Sequence, residues 1–444
     1  MPSDNRRQLS LLTSAVVLAV ACTLQNVYAE NGLPVAAPAD AGMSAERLER
    51  INHLVQGYID RGELAGTVTL VARRGQVVHF EAHGQRYVEE QLPMTRDTVF
   101  RIASMTKPIA SVALMMLYEE GLFALDDPIS KWLPEYADLQ VAIPAPPNER
   151  VASPFKLVPA VRPITVRHVL THTAGLANSY RGLTRSLYLD AVRAEPRAVT
   201  VEESLSRTAK VPLNFQPGEA WEYGRATDVV GVLVEKMSGM TLDEFLSARI
   251  FEPLGMHDTH FNIPEAKIER LAALYHPDDE GKIELTAAPA YRKPRKYFSG
   301  AGGLSSTAAD YFRFHQMMIN GGQLDGVSIL GRKTVELMVT NHIGDHAVWL
   351  KGPGYGFGLG YSILLDSAKS SEPMSPGSYG WGGAFCTYFF VDPVEELLGV
   401  FMTQVRPYTH LDVRRQFAVM ATQAIVDKPQ GGKSQRVVGH QAIR

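Results

Sequence analysis

Apolar residues recur at helical spacing from Ser44 to about Asp60, where Leu48, Ile51, Val55 and Ile59 share one stripe. The period then changes. Residues 67–73 and 77–83 read as two strands joined by a turn containing Gly75. From Ser104 an apolar run through Ile109, Val112, Met115, Met116 and Leu117 predicts a helix that stops at Glu119-Glu-Gly121. Pro108 falls near its first turn, where proline is tolerated. Residues 229–237 are apolar and helical in pattern, as are residues 241–250, and helical patterns and loops dominate from about 125 to 290. Within that stretch the proline-rich residues 143–163 read as a surface excursion. Beyond Gly302 a helix over 307–319 is followed by strand-like segments at 355–363, 379–391 and 397–404. A last amphipathic helix places Phe417, Met420, Ala421, Ala424 and Ile425 on one face. Strands near both ends and helices in the middle imply one sheet built from the two ends of the chain. The middle is then a second lobe, and a cleft between the lobes is where a site forms.

Composition changes little in this picture. With 45% hydrophobic and 20% charged residues among 444, the chain reads as a globular protein with room for one large domain carrying an insertion. A formal net charge of -3 and the lack of a basic stripe give no reason to expect nucleic acid as a partner. The first residues do change it. Arg6 and Arg7, an apolar run from Leu9 to Ala21 and Val27-Tyr-Ala29 form a secretory pattern with cleavage expected after Ala29. That run is shorter than the about 20 residues a membrane span needs. Residues 1–29 are therefore expected to be a signal peptide, residues 30–427 a single domain, and residues 428–444 a polar, disordered tail, with the mature chain periplasmic or secreted. Cleavage removes two arginines and one aspartate, moving the formal charge from -3 to -4. Two rival signals share the segment: a degenerate lipoprotein box ending at Cys22, and a twin arginine at Arg6-Arg7. Cys386 would then remain alone, without an internal disulfide, and a buried structural role is expected for it.

The candidate chemistry lies in Phe100-Arg-Ile-Ala-Ser104-Met-Thr-Lys107. Residues three apart share a helix face, so the Lys107 amine can reach the Ser104 hydroxyl, and a helix start offers N–H groups to developing negative charge. Spacing alone is not decisive. Ser153-Pro-Phe-Lys156 fits the same pattern in a stretch poor for helix. No G-x-S-x-G elbow is present. Tyr223, in Pro217-Gly-Glu-Ala-Trp-Glu-Tyr223-Gly-Arg225, lies where the chain approaches a helix, and Trp381-Gly382-Gly383 leads into a strand with glycines where a backbone approaches closely. His168 with His172 and His257 with His260 lack the glutamate or third ligand of a zinc site, so structural histidines and no metal are expected.

These three places in this order resemble the penicillin-binding and serine β-lactamase superfamily, most closely its class C and family VIII-type carboxylesterase branches. Residues 164–176, 251–261 and 302–307 resemble that family's scaffold segments. The resemblance implies a β-lactamase/transpeptidase-like α/β (α+β) fold, with an antiparallel sheet flanked by helices and a mainly helical inserted lobe at about 125–290. It also implies Ser104 as nucleophile, Lys107 as its activating partner, Tyr223 as the base and proton donor, and the N–H groups of Ser104 and Ala384 as the oxyanion hole. No cofactor is implied. Where the family's lactamases carry Lys-Thr-Gly this chain has Trp381-Gly382-Gly383, and where they carry Tyr-x-Asn it ends in Arg225. An aromatic wall at Trp381 favours an uncharged, apolar acyl or alcohol group, whereas Arg225 offers a cation either to lower the Tyr223 pKa or to bind a substrate acid. Ester hydrolysis through an acyl-enzyme is thus expected. The alternatives are a β-lactamase or D-amino-acid peptidase acting on cell-wall amides, and a sensor that acylates without turnover.

Overall fold

The computed structural model describes residues 28–29, 32–145, 154–290 and 292–428. Ser44 caps the first helix, α1 (Ala45–Asp60), accepting from the Arg47 N–H at 3.2 Å, and Leu48, Ile51, Val55 and Tyr58 form its buried stripe. Strands β1 (Gly66–Arg73), β2 (Gln76–Tyr87) and the short β3 (Leu92–Pro93) follow. The chain then leaves the sheet through α2 (Thr106–Glu119), α3 (Ala226–Ser238) and α4 (Ala308–Ile319). It returns as β4 (Tyr355–Phe357), β5 (Ser362–Leu364), β6 (Tyr379–Gly382), β7 (Tyr388–Asp392) and β8 (Leu397–Met402), and ends in α5 (Val413–Thr422). The sheet order is β4-β5-β6-β7-β8-β1-β2-β3, every pair antiparallel. The seam between the two chain ends is the β8–β1 pair, where Val400 faces Leu70. One sheet from both ends is thus what forms.

Helices α1 and α5 cover one face, where Ile51, Val55, Phe390, Phe401 and Phe417 pack together. On the other face α4 lies across β8 and β1, and behind it stands the inserted lobe. The centre of that lobe is α2. Residues 106–117 are all buried, and α2 packs along α3, as a helix apolar on every side must when protein surrounds it. Each of its Leu, Ile, Val and Met side chains contributes about 1.5–3 kcal/mol relative to exposure. That burial fixes the helix start against the sheet.

Four expectations need correction. Residues 355–363 are a hairpin, β4 and β5, because the chain turns at Gly358 and at Gly360, whose φ is 98°. Residues 379–391 are likewise a hairpin, β6 and β7, turning after Gly382 with Cys386 left-handed at φ 67°. The inserted lobe includes two hairpins, Gln140–Pro144 with Phe155–Pro159 and Leu274–Pro277 with Ile283–Ala287, so the proline-rich excursion is partly strand. The last helix stops at Thr422, leaving Ala424 buried beyond it and Ile425 bridging to Met43. Residues 1–27, the rest of the tail from 429 and Ser153 lie outside the described residues; Lys156 is exposed on its strand.

Candidate active site

Ser104 is not on α2 but in the 3-10 turn Ala103–Met105 that runs into it. The pairing with Lys107 survives this shift, because the turn continues into α2 with right-handed helical backbone at Met105 and Thr106, which keeps residues three apart on one face. The residue before the serine is strained: Ala103 adopts φ 45°, a left-handed conformation that costs a residue with a Cβ about 1–2 kcal/mol. Surrounding structure holds it there. Phe100–Arg101 pairs with Ser305–Ser306, Ile102 N–H donates to the Leu304 carbonyl, and Tyr311 on α4 donates to the Met105 carbonyl at 2.9 Å.

Lys107 Nζ donates to Ser104 Oγ at 3.1 Å and to the Ala301 carbonyl at 2.6 Å. The Tyr223 hydroxyl donates to the same Oγ at 2.6 Å, and the Lys107 ammonium stands 4.7 Å from the centroid of the tyrosine ring. Two groups that can move a proton therefore meet at one oxygen. Lys107 and Tyr223 are almost fully buried while Ser104 is partly open, facing a pocket of about 210 Å³ that Asn178, Tyr180, Arg225 and Ala301 help to line.

Asp228, buried on α3, holds the far side of this set. Its Oδ1 accepts from Ser299 Oγ at 2.6 Å and from the Ala301 N–H at 3.1 Å, so the carbonyl that holds Lys107 is itself fixed. Its Oδ2 accepts from Arg225 Nε at 2.8 Å. Arg225 Nη1 donates to Ser204 Oγ at 2.8 Å and its Nη2 to the Tyr297 hydroxyl at 3.0 Å. Burial works against its charge, but the Asp228 carboxylate together with the Tyr188 and Tyr297 hydroxyls outweighs burial and raises the guanidinium. The cation expected to meet a substrate acid is thus occupied in bracing the site.

Trp381, expected as a pocket wall, is 5% exposed and packs inward. Its ring lies 5.4 Å from Tyr223, and its Nε1 donates to the tyrosine oxygen at 3.4 Å. Trp221, Phe357 and His172 complete a ring cluster around the phenol. Burial and then the charge of Lys107 lower His172 to about 3, so it stands neutral beside the ammonium. His168 has its Nδ1 accepting the Thr165 N–H at 3.1 Å, a cap, and no metal-binding group of three occurs among the described residues.

After Trp381 and Gly382, Gly383 donates to the Thr387 carbonyl at 2.8 Å and lies against the chain entering the Ser104 turn. A Cβ there would come within 2.5 Å of the Ile102 carbonyl oxygen, so only glycine allows this approach. The next residue is Ala384. Burial pushes the Cys386 thiol up to about 11, leaving a packed side chain and not a nucleophile.

Sequence reasoning passed over Asp228, Ala301, Tyr180 and Trp221. A signal for Ala301 existed: Ser299-Gly-Ala-Gly-Gly303 is a glycine-rich approach of backbone to the serine turn.

The chain matches the Beta-lactamase family over residues 51–423. It is 35% identical over 369 residues to protein Rv1367c of Mycobacterium tuberculosis, covering 81% of this chain and 90% of that protein. Esterase EstB of Burkholderia gladioli is 31% identical over 382 residues, with 81% and 90% covered. The solved structure of EstCE1, described as a hydrolase with promiscuous acyltransferase activity, superposes with a TM-score of 0.71 at 28% identity, covering 86% of this chain and 99% of its own. The match extends through the sheet, α2 and α3, the elements that bring Ser104, Lys107 and Tyr223 together, and the chain belongs to the beta-lactamase family as a serine hydrolase.

Proposed function

We propose that the chain hydrolyses carboxylic esters through an acyl-enzyme on Ser104. The observation that carries this reading is the meeting of Lys107 and Tyr223 at one serine oxygen, at 3.1 and 2.6 Å, with Trp381 in place of a cation beside them. Attack requires the Lys107–Tyr223 pair to have given up one proton to solvent; Ser104 Oγ then attacks the ester carbonyl carbon while its own proton passes to the vacant site on that pair. The carbonyl oxygen takes the negative charge and is met by the N–H groups of Ser104 and Ala384, each such donor being worth about 10²–10³ in rate. Collapse breaks the bond to the alcohol oxygen, which receives a proton from Tyr223. Water then repeats the sequence and frees the acid and Ser104.

The esterase name of a relative at 31% identity supports the ester assignment. The amide alternative required Arg225 to receive a substrate carboxylate, and that guanidinium is bonded to Asp228, Ser204 and Tyr297. A nitrophenyl ester series set against a chromogenic cephalosporin tests the reading: the esters should turn over faster, and faster cephalosporin turnover would overturn it. Intact mass after ester treatment separates turnover from a stalled adduct. Export after cleavage at Ala29 belongs to the same proposal, tested by sequencing the amino terminus of the mature protein for Glu30.

A further inference from the structure

Gly302 lines the Ser104 pocket and also a neighbouring cavity of about 310 Å³. Four cations, Arg101, Arg292, Lys293 and Arg295, line this cavity together with the rings of Phe261 and Phe385. No carboxylate lines it among the described residues. Nearby Lys267 and Arg270 share Asp258, yet none of the four has a carboxylate within ion-pair distance among the described residues. Like charges so gathered repel one another, and an anion among them would relieve that repulsion. Arg101 is held in place to receive one. Its backbone N–H donates to Gln404 Oε1 at 3.2 Å, its carbonyl accepts from Gln404 Nε2 at 3.0 Å, and one guanidinium nitrogen donates to the Ala272 carbonyl at 3.0 Å. The rest of its fork remains for a carboxylate. Burial and then Arg292 lower this guanidinium to about 10, and it is still charged at neutral pH.

We propose that this cavity binds a carboxylate at the far end of the acyl group, so that the preferred esters are monoesters of dicarboxylic acids. The inference rests on the acyl-enzyme reading of Ser104. The side follows from the proton path: a leaving alcohol must reach Tyr223, which lines the serine pocket and not this cavity, whereas Phe385 of the cavity follows Ala384 directly. The acyl chain then runs past Gly302 into the cationic chamber, its methylenes against the phenylalanines.

The test compares 4-nitrophenyl butyrate, mono-4-nitrophenyl glutarate and 4-(butyryloxy)benzoate, whose carboxylate is on the leaving side. In a combined Arg292→Ala, Lys293→Ala and Arg295→Ala protein, kcat/KM for the glutarate ester should fall about tenfold, mainly through KM, corresponding to about 1.4 kcal/mol. The butyrate ester should be unchanged. Raising the ionic strength to ~1 M should reproduce part of this loss in the unaltered protein. Arg101→Gln serves as a second variant and should act on the same substrate. Equal effects on butyrate and glutarate esters, or a selective loss with the benzoate ester, would overturn the assignment. Binding of glutarate and butyrate to the Ser104→Ala protein, measured by calorimetry, separates the two readings: failure of ester turnover sinks the esterase reading, whereas glutarate binding no tighter than butyrate sinks this one.

Discussion

Arg225 and Arg101 stand on two sides of the same serine and are used in opposite ways. Arg225 is closed in by Asp228, Ser204 and Tyr297, so its charge is spent on holding α3 to the loop that carries Ala301. Arg101 spends one donor on a backbone carbonyl and faces a cavity among three more cations. A positive residue near a nucleophile is therefore not by itself a substrate receptor; what decides is whether its donors are already bonded. The interior behind Ser104 is a bonded framework that sets geometry, and the cavity beside it holds unspent charge that sets preference.

The framework breaks most completely at its centre. Ser104→Ala should lower ester kcat by about 10⁴–10⁶, as loss of a nucleophile does, and Tyr223→Phe by about 10²–10⁴, both with unchanged circular dichroism. Full activity of the serine variant would refute the site. Asp228→Ala should cost about 3–5 kcal/mol in urea unfolding, because it leaves Arg225 buried without its partner, and should lower kcat as the Ala301 carbonyl loses its anchor. If stability alone changed, the link from Asp228 to Lys107 would be wrong.

Acid should strain the same framework without touching the arginines. Burial lowers His172 and His315 to about 3 and His79 to about 4, so below 6.5 the unfolded chain binds protons that the folded one refuses. Asp310, raised to about 6 by burial, opposes this: its folded form keeps a proton that the unfolded chain releases above its ordinary 3.8. His260, lowered to about 4 by burial and then Lys267, joins them, and four histidines against one aspartate leave a net loss of stability as pH falls from 6 to 4. A urea midpoint that is flat over this range would contradict the burial of these rings. The smallest effect is expected across the divide. Removing Arg292, Lys293 and Arg295 together should leave neutral-ester turnover within about twofold and the urea midpoint within about 0.5 kcal/mol, since these side chains are exposed and support nothing.

Much of the framework was legible because period and spacing carry it. The stripe Leu48, Ile51, Val55 placed α1, and the three separated segments at Ser104, Tyr223 and Trp381 converge. The hairpins at 355–364 and 379–392 were read as single strands because glycines interrupt a pattern that stays apolar on both sides of the turn. The roles of Arg225 and Trp381 were harder. Trp381 depends on Tyr223, 158 residues away, and Arg225 is closed in by Tyr297, 72 residues away, as well as by Asp228 at i+3; only the last of these is a local spacing. The cation cavity was illegible for the same reason, since Arg101 and residues 292–295 meet only through the fold.

Cys386 gives the molecule an internal clock. It is the free cysteine among the described residues, and it sits sealed in the turn just beyond Ala384. A thiol reagent reaches it only when that turn lifts, so the labelling rate counts how often the oxyanion side of the site comes apart. A bound substrate that steadies the turn would slow the count, making occupancy readable without any product being formed.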